Sequence, residues 1–375
     1  MATTRVVFSA FLLLSSFVLL LSPPSCDAHP LKACMFDSIY QFGDSISDTG
    51  NLIRERPIAA TSVFARLPYG ETFFKNATGR CSNGLLMIDY VALAAGLPFL
   101  NPYRNIDADF SHGVNFAVAG STALKTSVLA GMNIFSPVTN TSLDVQLDLM
   151  FTHFNSTCYT DSDCSEKLKR ALFMVGEIGG NDYNFALSGG KTIEEAKSIV
   201  PDVVQAIKDA ARRVIGYGAL RVVVPGNFPI GCLPIYLSRF QTTNSAAYDE
   251  QHCLKGLNDF AKYHNDHLQK AIEELRQENP NAFIVYGDYY NAFQWLVQNA
   301  PLLGFDVASV QKACCGIGGD YDFSLTKMCG NPGVPVCADP SSRISWDGIH
   351  LTQEAYKFMA GWLIGDILPK FHCGG

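Results

Sequence analysis

Charge is scarce in this chain. Of its 375 residues only 17 % are Asp, Glu, Lys or Arg, and bases are the minority, 28 against 35 acids, for a formal net charge of -7. That balance argues against a polyanion-binding surface, so no nucleic-acid partner is expected. Internal repeats, charge blocks and Ser/Gly-rich linkers are also missing, which leaves no seam for a second domain. Past residue 28 no apolar run has the ~20 residues of a spanning helix, so no stable membrane insertion is expected. No Cys-x2-Cys pair occurs, and the adjacent Cys314 and Cys315 are poorly placed to ligate one ion together. Neither a metal nor any other cofactor is called for.

What is present is a large apolar complement, 48 % hydrophobic and 11 % aromatic, enough for a substantial core. The N-terminus reads as a secretory leader: Arg5, then an uncharged run from Val6 to Leu21, then small residues up to Ala28. Residues 1–28 are therefore expected to be removed and 29–375 to form a single domain, a monomer. All cysteines but Cys26 remain, an odd number, and in an oxidising compartment they suit disulfides with one thiol left over. Cys158 with Cys164 and Cys329 with Cys337 bracket short loops and read as local staples. Three sequons, at Asn76, Asn140 and Asn155, agree with passage through the secretory pathway.

Four short runs of unbroken hydrophobicity end at Gly or Pro: Ile39 to Phe42, Ala171 to Val175, Val222 to Val224 and Ala282 to Tyr286. A fifth, weaker one is Val114 to Val118. Such runs suit parallel strands covered on both faces. Between them lie segments of helical length at 85–95, 143–154, 193–216, 246–278 and 355–368, while 155–166 reads as a disulfide-closed loop. Strands alternating with helices predict an α/β fold, a three-layer α/β/α sandwich around a central parallel sheet.

In such sheets reactive groups collect at the carboxyl ends of the strands. The first end reads Phe42-Gly43-Asp44-Ser45-Ile46-Ser47-Asp48-Thr49-Gly50-Asn51. Ser45, after a glycine that permits a sharp turn, suits a nucleophile or equally a helix N-cap. At the third end, Gly179-Gly180-Asn181-Asp182 supplies either an oxyanion donor in Asn181 or an ordinary turn. Near the C-terminus, Asp347 and His350 are spaced so that the carboxylate orients the imidazole for general-base work. His264 and His267, around Asp266, read instead as a solvated helix face. Asp48 and Asn51 read as braces of the Ser45 loop. The Gly-x-Ser-x-Gly elbow of α/β-hydrolases is absent.

Taken together, Gly43-Asp44-Ser45, the glycine of Asn115-Phe116-Ala117-Val118-Ala119-Gly120, Gly179-Gly180-Asn181-Asp182 and Asp347-Gly348-Ile349-His350 resemble the four ordered blocks of the SGNH, or GDSL, hydrolases. The longer strings around Ser45 and His350 resemble in particular the plant GDSL esterase/lipases, and the likeness spans residues 38–368. The stretch Gly79-Arg80-Cys81-Ser82-Asn83-Gly84-Leu85 is similar too, with Leu85 where an Arg is more usual. The resemblance implies a flavodoxin-like SGNH fold with Ser45 as nucleophile, His350 as base and Asp347 as its orienting acid. It also implies an oxyanion hole from the Ser45 and Gly120 backbone N–H groups and the Asn181 side chain. The expected activity is hydrolysis of small carboxylic esters of plant metabolites or lipids, outside the cell (the apoplast) or in the vacuole. Acyl transfer between alcohols by the same triad, or a non-catalytic binding role, are the alternatives. Phe73, Phe74, Tyr183, Phe185, Phe228 and Tyr236 are candidates for an acyl pocket or ordinary core.

Overall fold

The computed structural model describes residues 29–373 apart from positions 56, 58–60 and 159 and the side chains of 161–163. The expected leader, 1–28, lies outside the described residues. Five strands, β1 Ser38–Phe42, β2 Gly113–Asn115, β3 Ala171–Val175, β4 Arg221–Pro225 and β5 Phe283–Gly287, form an all-parallel sheet in the order β2-β1-β3-β4-β5. β1 and β3 are buried at every position, as strands of a doubly covered sheet are; β3 is apolar throughout, and in β1 the buried Gln41 donates its amide to the Gly176 carbonyl. Phe283, at the edge strand, is exposed.

The helices form two packed sets. Leu143–Thr157, Val200–Gly216 and Lys255–Glu278 lie against one another, and so do Met87–Ala95, Gln353–Ile367 and Tyr289–Gln298. With the sheet they give the expected three-layer α/β/α sandwich of flavodoxin-like strand order. Val200–Gly216 shows how sequence sets this packing: Val200, Val203, Val204, Ile207, Ala210, Ala211 and Val214 recur at helical spacing and are all buried. Aromatic rings on β1 carry the core across the sheet, Tyr40 stacking on Phe173 and Phe42 on Phe116 with centroids 5.0 and 5.4 Å apart. From β1 the chain goes first to β2 on one side and then to β3 on the other. That reversal opens a crevice beyond the carboxyl ends of β1 and β3, the switch point where α/β sheets bind ligands.

Several expectations need correction. β2 stops at Asn115, because the Asn115 side chain takes the Ala117 N–H (2.9 Å) and donates to Ser47 O (2.6 Å), turning the chain toward the β1 loop. The 193–216 helix is two, Ile193–Ser198 and Val200–Gly216, divided just ahead of Pro201, which has no N–H to continue the ladder. The 246–278 helix starts only at Lys255, since the preceding turn is tied back by Cys232–Cys253. The stretch 155–166 is not a loop: one helix runs to Thr157 and another, Asp161–Lys169, begins within it, its last-turn Lys167 and Lys169 complementing the helix dipole.

Cys158–Cys164 is bonded as expected, but Cys329 and Cys337 are not partners. They pair with Cys315 and Cys314, so two bridges lace the segment before the His350 loop. Cys34–Cys373 joins the two ends of the described chain, and among the described residues Cys81 is the one free thiol, buried.

Candidate active site

The Ser45 loop is built by a close approach of two strand ends. Gly43 has φ 140°, and a β-carbon there would lie 2.6 Å from the Glu177 carbonyl oxygen, so only glycine fits. Asp44 N–H donates to that same carbonyl (3.1 Å), and Ser47 and Asp48 N–H groups both donate to Asp44 O, coiling the chain tightly around Ser45. Gln146, from helix Leu143–Thr157, grips Gly43 at both backbone groups, accepting from its N–H (2.9 Å) and donating to its carbonyl (2.8 Å). Asp48 accepts from Gly50, Asn51, Leu52 and Ala119 N–H groups, and Asn51 donates to the Asn115 and Ala117 carbonyls, so both do brace the loop. Ser45 caps no α-helix; its Oγ is 2.8 Å from His350 Nε2.

The His350 loop is pinched by a bridge between Ser345 and Leu351 and by Trp346 N–H donating to His350 O (2.8 Å). Asp347 Oδ1 accepts the Ile349 and His350 N–H groups, and its Oδ2 is 2.7 Å from His350 Nδ1. Tyr69, 278 positions earlier in sequence, donates its phenol to the same Oδ2 at 2.8 Å. Burial raises the Asp347 carboxyl, but the His350 charge and these hydrogen bonds outweigh it, and the net direction is down. Asp347 is thereby kept ionised. Burial, with Asp347 beside it, pushes the Tyr69 phenol well above its ordinary range, which keeps it a donor. The rings of Phe64 and Trp346 flank Tyr69, and Phe64 also meets the His350 ring edge-on at 5.8 Å.

Asn181 sits in the first turn of helix Gly180–Ser188 and donates Nδ2 to Ser121 O (3.0 Å) and Asp44 Oδ2 (3.1 Å). Its neighbour Asp182 accepts the Ala123 and Leu124 N–H groups, which fastens the segment after Gly120 to the same helix. Gly120 has φ 83°, with Val138 2.5 Å from where a β-carbon would be. Among the described residues, the backbone N–H groups of Ser45 and Gly120 donate to no protein acceptor. Burial raises Asp44 and Asp182 to about 7 in each case, against the hydrogen bonds they accept.

Ser45 and Asn181 open onto one pocket, with Phe228, Tyr236, Ile349 and Leu351 in its wall. Of the aromatic candidates only Phe228 and Tyr236 line it; Tyr183 is core, with its hydroxyl 2.7 Å from His264 Nδ1. Gly120 is not in the wall and connects to it through Ser121. His264 corrects the solvated-face reading: it is fully buried, and burial lowers its imidazole to about 3. Sequence reasoning missed Tyr69, Gln146, Glu177 and Asn227. Of these only Glu177 carried a signal, standing at the end of β3 in Gly176-Glu177-Ile178-Gly179. Leu85 is buried, and Arg80 from the same stretch forms a two-pronged pair with Asp89 (2.8 Å each). Among the described residues no three His, Cys, Asp or Glu side chains gather as metal ligands, and no helix is long and apolar enough to cross a membrane. Asn76, Asn140 and Asn155 are exposed.

Residues 39–363 match the family model described as GDSL-like Lipase/Acylhydrolase. Acetylajmalan esterase 2 of Rauvolfia serpentina is 45 % identical over 98 % of this chain and 98 % of its own. Acetylajmalan esterase of the same plant is 47 % identical, covering 91 % of this chain and 88 % of its own. A GDSL esterase/lipase of Arabidopsis thaliana is 44 % identical over 90 % and 88 %. Among solved structures, the chain is similar to phospholipase A1 from Streptomyces albidoflavus NA297 at 15 % identity and a TM-score of 0.36, over 91 % of this chain and 100 % of that one. The chain belongs to the GDSL-like lipase/acylhydrolase family and is a serine ester hydrolase of the plant GDSL esterase/lipase type.

Proposed function

We propose that this chain hydrolyses a short acyl ester of a small plant metabolite through an acyl-Ser45 intermediate. The observation that carries the reading is the unbroken hydrogen-bonded line Ser45 Oγ, His350 Nε2, His350 Nδ1, Asp347 Oδ2. In the first step Ser45 Oγ bonds to the ester carbonyl carbon while its proton passes to His350 Nε2. Asp347, ionised and fixed by Tyr69 and two backbone N–H groups, balances the imidazolium that forms. The carbonyl oxygen, now an oxyanion, takes the Ser45 and Gly120 N–H groups, and Asn181 Nδ2 turns to it one of the two N–H bonds it otherwise gives to Ser121 O and Asp44 Oδ2. Collapse breaks the ester C–O bond, and the alcohol leaves with the proton from His350. Water then repeats the sequence: His350 takes its proton, its oxygen bonds to the acyl carbon, and Ser45 departs with that proton.

The small-molecule substrate is supported by the names of the acetylajmalan esterases and by the tight pocket. Three further features complete the reading: a single catalytic unit over 29–375, release of 1–28 on secretion, and glycans at Asn76, Asn140 and Asn155. Five disulfides support an oxidising compartment outside the cytosol. Incubating the purified protein with metabolite extract of its source tissue, with Ser45→Ala as control, tests the reaction by mass spectrometry. Loss of one ester with the rise of its free acid is expected only with the unsubstituted protein. Rise of a different ester with little free acid would make the enzyme an acyltransferase instead.

A further inference from the structure

One carboxyl group in the pocket wall has no part in the ester chemistry. Glu177, two residues past the end of β3, lines the pocket and is 4 % exposed. Among the described residues no group donates a hydrogen bond to its carboxyl and no Lys or Arg pairs with it; its one charged neighbour is Asp44, of the same sign. A second oxygen in the wall, Asn227 Oδ1, is fully buried and has no partner among the described residues. The two point to one spot: a β-carbon on Gly180 would lie 3.2 Å from Glu177 Oε1 and 3.8 Å from Asn227 Oδ1. Because position 180 is glycine, that spot is left open, and Gly180 itself lines the pocket.

Folding leaves such acceptors unpaired at a cost, and burying a carboxyl beside another acid adds to it. A cation that donates N–H offsets both costs, and no Lys or Arg in the wall competes for the place. Phe228 and Tyr236, both in the wall, supply aromatic surface beside which an alkylammonium is further stabilised. The space itself, about 50 Å³, suits a compact head of a few heavy atoms rather than a long acyl chain. We propose that Glu177 and Asn227 form a subsite, beside Ser45, that receives a protonated amine carried by the ester substrate. The inference rests on Ser45 being the nucleophile, and it names the substrate class as esters that bear a basic nitrogen close to the scissile bond.

Two acetates of the same heavy-atom shape test it: 2-(dimethylamino)ethyl acetate, protonated near neutral pH, and 3-methylbutyl acetate, which carries no charge. The unsubstituted enzyme is expected to favour the amine ester by about tenfold or more in kcat/KM, the factor a charge-assisted hydrogen bond carries. In Glu177→Gln the ratio falls toward one. A ratio near one in the unsubstituted enzyme, or a preserved preference in Glu177→Gln, overturns the subsite. Failure of the Ser45 reading looks different, because Ser45→Ala would then still hydrolyse both esters at whatever ratio. A readout free of catalysis is saturation-transfer NMR with N,N-dimethylethylammonium chloride. Signal transfer is expected with the unsubstituted protein and not with Glu177→Gln; equal transfer in both, or none in either, contradicts the proposal.

Discussion

Asn181 offers the sharpest test at the scale of single residues. Its Nδ2 donates to Asp44 and Ser121 beside Ser45, so Asn181→Ala removes the proposed oxyanion donor without touching Ser45, His350 or Asp347. The expected loss in kcat is about 100- to 1000-fold with the fold intact; an active Asn181→Ala enzyme would remove Asn181 from the oxyanion hole. Tyr69 acts through another group, as a positioning residue for Asp347. Tyr69→Phe is expected to lower kcat by about tenfold, the scale of one hydrogen bond to a charged group, with little change in KM. A change confined to KM would assign Tyr69 to substrate binding. The four motif residues Ser45, Asn181, Asp347 and His350 could be picked out because each lies in a short string that resembles a family block, whereas the strings alone left Ser45 equally an N-cap and Asn181 equally a turn residue. Tyr69, Gln146 and Asn227 were not, because each matters through a partner that only the folded chain supplies. His264 was misread for a related reason: its polar neighbour Asp266 describes the helix surface, whereas its own position faces Tyr183 and the core.

Among elements, the loop 79–85 and helix Met87–Ala95 are locked together by Arg80 and Asp89, both buried, with Asp89 also accepting the Leu86 N–H. Asp89→Asn leaves the guanidinium buried without its counter-charge and is expected to cost about 3 to 5 kcal/mol in denaturant unfolding. A loss below about 1 kcal/mol would mean that water reaches Arg80. Four of the five strands were readable to within a residue because short apolar runs suit little else once Gly or Pro ends them; β2 stops three residues early, where the Asn115 side chain turns the chain. Helix boundaries were less so. Periodicity carries on through Ile199, but the backbone breaks there ahead of Pro201, and it continues before Lys255, where Cys232–Cys253 draws the chain into a turn. The disulfide partners of Cys329 and Cys337 depend on how the segment folds back, and sequence proximity favoured the wrong pair.

Across the whole molecule, buried acids give stability a pH dependence of definite sign. Asp44 and Asp182 rise from ordinary carboxylate values to about 7, and burial raises Asp48 and Glu177 as well. The folded state therefore holds more protons than the unfolded chain between about pH 4 and 7, and stability falls as pH rises through that window. Asp347 is shifted the other way, and its contribution is lost only below the ordinary carboxylate range. Thermal unfolding is expected to give a higher Tm at about pH 5 than at about pH 8; the reverse order would mean that these acids are solvated. The Cys34–Cys373 bridge, with a sequence separation of 339, restrains the whole unfolded chain. Cys373→Ser paired with Cys34→Ser is expected to cost about 2 to 5 kcal/mol while leaving the pocket intact.

The proposed chemistry requires Ser45 to be a nucleophile activated by His350. Treating the folded protein with a fluorophosphonate and mapping the adduct by peptide mass spectrometry addresses it directly. One phosphonyl group on Ser45 is expected, formed rapidly in the unsubstituted protein and slowed by orders of magnitude in His350→Ala. Failure of the folded protein to label, or a label on any other residue, would contradict it.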